Sequence, residues 1–294
     1  MENEYYNIHF PFSVFIMMLG DFRIETIPDA EFRLDGGAMF GVVPRVVWER
    51  VAPPDELNRI RLQMNCLFVE TPSDKILIET GMGEKWSEKQ AGIYGVNRSQ
   101  TFARSLFEKT GYQPEDITIV VNTHLHFDHC GGNTIKNESG ETLPQFPNAR
   151  YFVSENEFNH AVNPTERDRV SYVSENWEAV QKSGQLELKP GVYQIINGIT
   201  MTEMRGHNGT MQTVKIESSG EILYSFSDLI PTTHHISLPW IMSYDLFPFE
   251  TLENKKRLLP QALKENWICL FYHDFEMPLC RLSEIDGKLK AIEV

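Results

Sequence analysis

The segment His124-Leu125-His126-Phe127-Asp128-His129 places three imidazoles and a carboxylate within six residues, directly after the apolar run Ile117-Thr118-Ile119-Val120-Val121. Neutral imidazole and carboxylate suit zinc and neighbouring first-row metals. In an extended segment residues two apart share a side, so His124, His126 and Asp128 start on one face. A turn after the strand then lets His126 and Asp128 serve different metals, with His129 joining Asp128. Six residues can thus seed a two-metal site.

Three further ligand types stand where strand-like runs end. His207 lies in Arg205-Gly206-His207-Asn208-Gly209, Asp228 follows Leu223-Tyr224-Ser225-Phe226-Ser227, and His273 follows Cys269-Leu270-Phe271-Tyr272. Loops at the ends of rigid strands can hold separate ligands in register. Each residue alone has a plainer reading. A lone buried histidine is usually a hydrogen-bonded core residue, and a lone Asp228 is an ordinary loop or helix-cap aspartate. The complete set reverses that weighting. His9 and His160 fall outside the pattern and read as surface residues. Cys130 and Gly131-Gly132 read as packing and a tight turn behind the metal loop.

To position these residues the chain supplies alternating strands and helices. Phe22-Arg23-Ile24-Glu25 alternates, Leu62 to Val69 is apolar-rich, and Lys75 to Glu79 is a short buried strand ending in Thr80-Gly81. Phe102, Ala103, Leu106 and Phe107 have helical spacing within Ser99 to Thr110, with Gly111 as the stop. Tyr151-Phe152-Val153 reads as a strand and Ser154-Glu155-Asn156-Glu157 as a capping box, and a polar helical region is expected over about Asp168 to Lys182. Asn197-Gly198 and Ser218-Ser219-Gly220 mark hairpins spanning Tyr193 to Met204 and Thr213 to Phe226. Thr251 to Asn266 reads as a helix with Pro260 as a kink point, and Ile268 to Tyr272 as a final buried strand. Two similar halves imply two packed sheets with helices outside, in one domain over 1–294. Within an N-terminal extension over 1–20, the apolar run Phe10 to Leu19 is too short to span a bilayer and is preceded by Glu2 and Glu4. It reads as a core or interface segment.

With 294 residues and 41% hydrophobic content, the chain can bury a large core. A net charge of -14 argues against a nucleic-acid partner. Cys66, Cys130, Cys269 and Cys280 form no Cys-x-x-Cys pair. A reduced, cytoplasmic protein is the simplest reading, with two disulfides as the alternative.

Taken together, His-x-His-x-Asp-His followed by His207, Asp228 and His273 resembles the metallo-β-lactamase superfamily over nearly the whole chain. The resemblance implies an α/β (α+β) fold, a four-layer αββα sandwich of two mixed β-sheets flanked by helices. It also implies two divalent metal ions, zinc foremost, with Mn, Fe or Co suited to the same donors. His124, His126 and His207 would hold one, Asp128, His129 and His273 the other, and Asp228 would bridge them. The superfamily's Asp-Thr-Gly appears here as Glu79-Thr80-Gly81, one methylene longer at a residue expected to orient a ligand.

Leu34 to Pro44, Asp228 to Thr232 and Trp240 to Asp245 resemble the branch holding N-acyl-homoserine lactonases, YtnP-like proteins and methyl parathion hydrolase. Met39, Phe40, His234, Trp240, Met242 and Phe275 are the candidate lining of a substrate pocket. Lactonases of that branch carry a tyrosine three residues after the bridging aspartate, where this chain has Pro231. His234, His235, Tyr244 and Tyr272 are the candidate replacements.

Coordination lowers the pKa of water towards neutrality, so a bridging hydroxide would attack the substrate carbonyl, with Asp228 and Asp128 as catalytic carboxylates. The expected activity is a lactonase or carboxylic-ester hydrolase of the N-acyl-homoserine-lactone type, a quorum-quenching reaction. Its partner would be a small-molecule ester or lactone, with no nucleic acid and no membrane, and the resemblance admits a homodimer. A methyl-parathion-type phosphotriesterase is the first alternative. A glyoxalase-II-like thioesterase is the second, though a basic C-terminal region of that family has no clear equivalent here. A metal-stabilised scaffold without activity is the outlying one.

Overall fold

The computed structural model of the protein describes residues 17–294, so His9 and most of the Phe10 to Leu19 run lie outside the described residues. Two seven-stranded sheets dominate. The first runs in the order Met17–Leu19, Phe22–Asp35, Arg59–Glu70, Lys75–Ile78, Ile119–Val121, Arg150–Ser154 and Leu186–Lys189. The second runs Val192–Ile196, Ile199–Glu203, Gln212–Ser218, Glu221–Ser225, Ile268–Leu270, Leu279–Ile285 and Lys288–Ile292. Both sheets are mixed. Ile119–Val121 pairs in parallel with both its neighbours, and Glu221–Ser225 pairs in parallel with Ile268–Leu270.

The two-residue period of a strand explains how the layers stack. Leu67, Val69, Ile76, Ile78, Ile119 and Val121 face the second sheet, where they meet Ile199, Val214, Ile216, Leu223 and Leu270. The intervening Phe68, Leu77 and Val120 turn away and pack with Phe102 and Leu106 of the helix Phe102–Thr110. Beyond the second sheet, Tyr224, Cys269 and Phe271 pack with Leu258, Leu259 and Ala262 of the helix Pro248–Lys264. The order is therefore helix, sheet, sheet, helix. Burying each such side chain is worth roughly 1.5–3 kcal/mol, so the intersheet layer holds the two sheets in register.

Local signals set the boundaries. Thr101 accepts the Arg104 N–H at the start of Phe102–Thr110, and Gly111 ends it at φ 83, a left-handed conformation cheap only for glycine. The two hairpins turn at Asn197-Gly198 and Ser219-Gly220 as expected. The long C-terminal helix continues through Pro260.

Two expectations need correction. Ser154 does precede the helix Glu155–Val162, but its hydroxyl makes no capping bond, and the Glu157 carboxylate points inward to accept the Leu125 N–H instead of reaching back to Ser154. Residues 168–182 do not form one helix. They fold as short turns at Arg169–Ser171 and Ser174–Asn176 before the helix Glu178–Lys182. Tertiary contacts override the polar spacing there, since Tyr172 bridges to His126 and Asp168 meets His160 at 2.6 Å. All four cysteines are buried and free. Among the described residues no helix is long and apolar enough to cross a membrane.

Candidate metal centre

Seven buried side chains converge where strands of both sheets end. Ile119–Val121 leads into His124 and His126, and a single helical turn, Phe127–Cys130, then presents Asp128 and His129. His207 comes from the loop between Ile199–Glu203 and Gln212–Ser218. Asp228 sits in the turn Ser227–Leu229 after Glu221–Ser225, and His273 follows Ile268–Leu270.

The distances divide the cluster in two. His126 Nδ1 lies 3.1 Å from both His124 Nε2 and His207 Nε2. Asp228 Oδ2 faces this trio, 3.4 Å from His207 Nε2 and 4.0 Å from His124 Nε2. Its other oxygen, Oδ1, lies 3.2 Å from both His129 Nε2 and His273 Nε2. Asp128 Oδ2 completes the second group, 3.6 Å from His273 Nε2. Within each trio, His124–His126–His207 and Asp128–His129–His273, the ligand atoms lie within 4.8 Å of one another.

These donors fit cations better than they fit one another. One imidazole nitrogen facing two others cannot satisfy both with a single proton or lone pair. His129 Nε2 and Asp228 Oδ1 are buried and close, yet neither has a hydrogen-bond partner. Orphaned buried polar atoms are costly, and a shared divalent ion would satisfy each of them.

The outer nitrogens of four of the five histidines are fixed by neighbours, while His126, which faces the cluster through Nδ1, has its Nε2 buried without a partner. His207 Nδ1 faces Asp245 Oδ1 at 3.2 Å, and Asp245 Oδ2 is held by the Thr251 hydroxyl at 2.6 Å. His129 Nδ1 faces Glu79 Oε1 at 3.2 Å, and His273 Nδ1 faces the Gln63 carbonyl at 3.1 Å. His124 Nδ1 meets the Thr123 hydroxyl at 3.0 Å, which itself donates to Glu79. In these four histidines a proton on Nδ1 leaves the Nε2 lone pair aimed at the cluster, whereas His126 presents Nδ1 and must carry its proton on Nε2.

Glu79 holds φ at 64°, a left-handed conformation that costs a non-glycine residue about 1–2 kcal/mol. Its carboxylate accepts the Thr123 N–H and hydroxyl and meets His129 Nδ1. Hydrogen bonds to a charged group are worth about 1.5–3 kcal/mol each, so they outweigh the strain. Glycine is required nearby for another reason. A Cβ on Gly131 would lie 2.1 Å from the Met82 carbonyl oxygen, and one on Gly132 would lie 2.2 Å from that of Thr80.

Electrostatics follow from this packing. Burial, reinforced by neighbouring imidazoles, holds His124 and His126 well below the ordinary histidine range, which keeps them neutral. Burial pulls His129 and His207 the same way, but Asp228 with Glu79 or Asp245 overcomes it and raises both. Asp228 is pushed up by burial, yet His129, His273 and His207 hold it well below the usual carboxylate range.

A cavity of about 360 Å³ opens onto the cluster, reaching His126, Asp128, His207, Asp228 and His273. Leu34, Ala38, Met39, Phe127, Val170 and Met242 give it an apolar wall, and Tyr94, Tyr244 and Arg167 stand among them. Arg167 donates to the Ser243 carbonyl at 2.6 Å, joining the segment before Tyr172 to the opposite wall.

Of the expected pocket residues, Met39 and Met242 line this cavity. Phe40, His234, Trp240 and Phe275 do not. Phe40 is fully buried against Trp48, His235 and Trp240. His234 and Phe275 line a separate cavity that also touches His273, where Phe275 stacks under Arg61. Two candidate replacements for the missing tyrosine are committed elsewhere. Tyr272 donates to the Asp128 carbonyl at 2.7 Å, and His235 is held between Thr232 and the Met39 carbonyl. His160 is only partly exposed because it pairs with Asp168. Tyr94, Arg167 and Val170 carried no motif that could have marked them. Asp245 did lie in a segment noted for its resemblance, but nothing there showed it meeting His207.

The chain is similar to several known proteins. The model of the metallo-beta-lactamase superfamily matches residues 59–135. An N-acyl homoserine lactonase of Bacillus cereus is 26% identical over 240 residues, covering 74% of this chain and 84% of the relative. The crystal structure of a probable metal-dependent hydrolase from Staphylococcus aureus superposes with a TM-score of 0.85 at 30% identity, covering 95% of this chain and 99% of that one. AidC, a dizinc quorum-quenching lactonase solved with its product, superposes at 0.75 with 21% identity, covering 95% and 96%. With its two stacked sheets, its histidine and aspartate cluster and these relatives, the chain belongs to the metallo-β-lactamase superfamily of hydrolases.

Proposed function

We propose that this protein is a dinuclear metal-dependent lactonase that opens small, partly apolar lactones of the N-acyl-homoserine type. The observation that carries the reading is Asp228, whose two oxygens face the two ligand groups separately at the floor of an apolar-walled cavity. His124, His126 and His207 are assigned to one cation, Asp128, His129 and His273 to the other, and zinc is the ion that suits these donors best. The relatives named N-acyl homoserine lactonase support the substrate class.

Bound divalent cations would supply an activated water near neutral pH and a Lewis acid for the acyl oxygen. The chain does the rest. Asp228 keeps the two groups in register, and Asp128 and Asp228 are the carboxylates at the cavity floor that can take up and return a proton. Leu34, Met39, Val170 and Met242 exclude water and accept an acyl chain. Tyr94 and Tyr244 are the phenols left to donate to the acyl oxygen or the departing alkoxide. Because both sheets contribute to the cluster, we read residues 17–294 as one domain.

The test is a panel run on protein of measured zinc content: N-acyl homoserine lactone, aryl ester, organophosphate and glutathione thioester. Alkali uptake with the lactone is expected to exceed the other signals, and Asp228→Ala should abolish it together with tight zinc binding. Nitrophenol release from the organophosphate with no lactone turnover would move the assignment to a phosphotriesterase.

A further inference from the structure

The helix Glu155–Val162 turns Glu157 inward, and its side chain is fully buried. One carboxylate oxygen accepts the N–H of Leu125, the residue between His124 and His126, at 2.8 Å. The other accepts from Asn208 Nδ2 at 3.2 Å and from the Thr210 hydroxyl. Asn208 Oδ1 in turn accepts the N–H of Thr210 at 2.9 Å and of Met211 at 2.5 Å, which shapes the loop that follows His207. A single carboxylate thus spans two loops that are more than eighty residues apart in sequence.

Among the described residues, the groups that meet this carboxylate are hydrogen-bond donors rather than a lysine or arginine. A buried carboxylate is stable only when donors and positive charge compensate its lost hydration. Donors are present, and the nearby trio His124, His126 and His207 is where a divalent cation would add the charge.

We propose that Glu157 is a positioning residue that sets the spacing between the His124/His126 loop and the His207 loop, and so tunes the affinity of that trio for its cation. This rests on the ligand assignment above. Glu157 also explains why the Ser154-to-Glu157 pattern fails as a capping box, since the carboxylate is used across the loops and not at the helix end.

Zinc titration of metal-free protein against a competing chelator tests this, with the melting temperature of the metal-free protein measured in parallel. Glu157→Gln keeps the volume and an acceptor for Leu125, but turns an amide N–H towards Asn208. Of the two tight zinc equivalents expected in the wild type, one should weaken about 10–100-fold. The other should stay within about two-fold, with metal-free melting nearly unchanged. Thr210→Val removes one arm only and should weaken the same equivalent by a smaller factor, and it decides the matter if Glu157→Gln does not fold. Unchanged affinities, or equal losses at both equivalents, overturn the proposal. Wild-type protein that binds no zinc would instead overturn the ligand assignment, and this proposal with it.

Discussion

Pro231 stands where lactonases of the resembling branch carry a tyrosine, and the surroundings of each candidate replacement narrow the choice. Tyr272 and His235 are held by backbone carbonyls, and His234 opens into a different cavity, so of the four only Tyr244 remains, and the cavity adds Tyr94, which the sequence did not mark. Both are phenols near Asp128, and burial pushes the Tyr244 hydroxyl up to about 12, which keeps it a proton donor at neutral pH. Loss of an oxyanion donor typically costs about 10²–10³ in kcat. The double substitution Tyr94→Phe and Tyr244→Phe is therefore expected to lower kcat at least about ten-fold on a lactone, with KM within about two-fold. Steady-state kinetics check this, and an unchanged kcat would place the donor elsewhere. The seven-residue cluster was legible from type and spacing because strand ends and short loops preserve sequence order. Tyr94 and Arg167 were not legible, since they reach the cavity only through the folding of segments that carry no pattern of their own.

Among the elements, the helix Pro248–Lys264 does more than cover the second sheet. Its Lys255 is fully buried and donates to the carbonyls of Ser237 at 2.7 Å, Leu238 at 3.1 Å and Trp240 at 2.8 Å. Burial pushes this ammonium down to about 7, with Asp245 opposing the shift. In its protonated form Lys255 offers three donors for three carbonyls and so pins the loop that leads to Met242 and Tyr244 in the cavity wall. Lys255→Met would leave those carbonyls without partners, each worth about 1–3 kcal/mol if it stays buried. After relaxation a loss of about 2–4 kcal/mol is expected in urea unfolding, with a raised KM as the wall loosens. Alternation and helical spacing were enough to place most strands and the two long helices. They failed over 168–176, where contacts from Tyr172 to His126 and from Asp168 to His160 decide the conformation.

At the scale of the whole molecule, cations at this cluster would bind the folded chain and not the unfolded one. A ligand at 1,000 times its Kd adds about 4 kcal/mol, so chelation is expected to lower the melting temperature by on the order of 10 °C. The pH dependence has a definite sign. In the metal-free protein His129 and His207 lie above their unfolded value, so their contribution is full below about pH 6.5 and is lost as pH rises through the folded pKa. Binding a metal must displace those protons, so affinity falls in acid. The gap between metal-loaded and metal-free melting should therefore narrow as pH falls, which scanning calorimetry at several pH values measures.

The first sheet is complete at Lys189 and the second begins at Val192, so the chain crosses from one to the other through Pro190-Gly191 alone. That crossing also divides the cluster, with His124, His126, Asp128 and His129 before it and His207, Asp228 and His273 after it. Neither trio is whole on one side. Cutting the chain at this link would produce two fragments with incomplete coordination sets, and hydrolysis would then serve as a reporter of their reassembly.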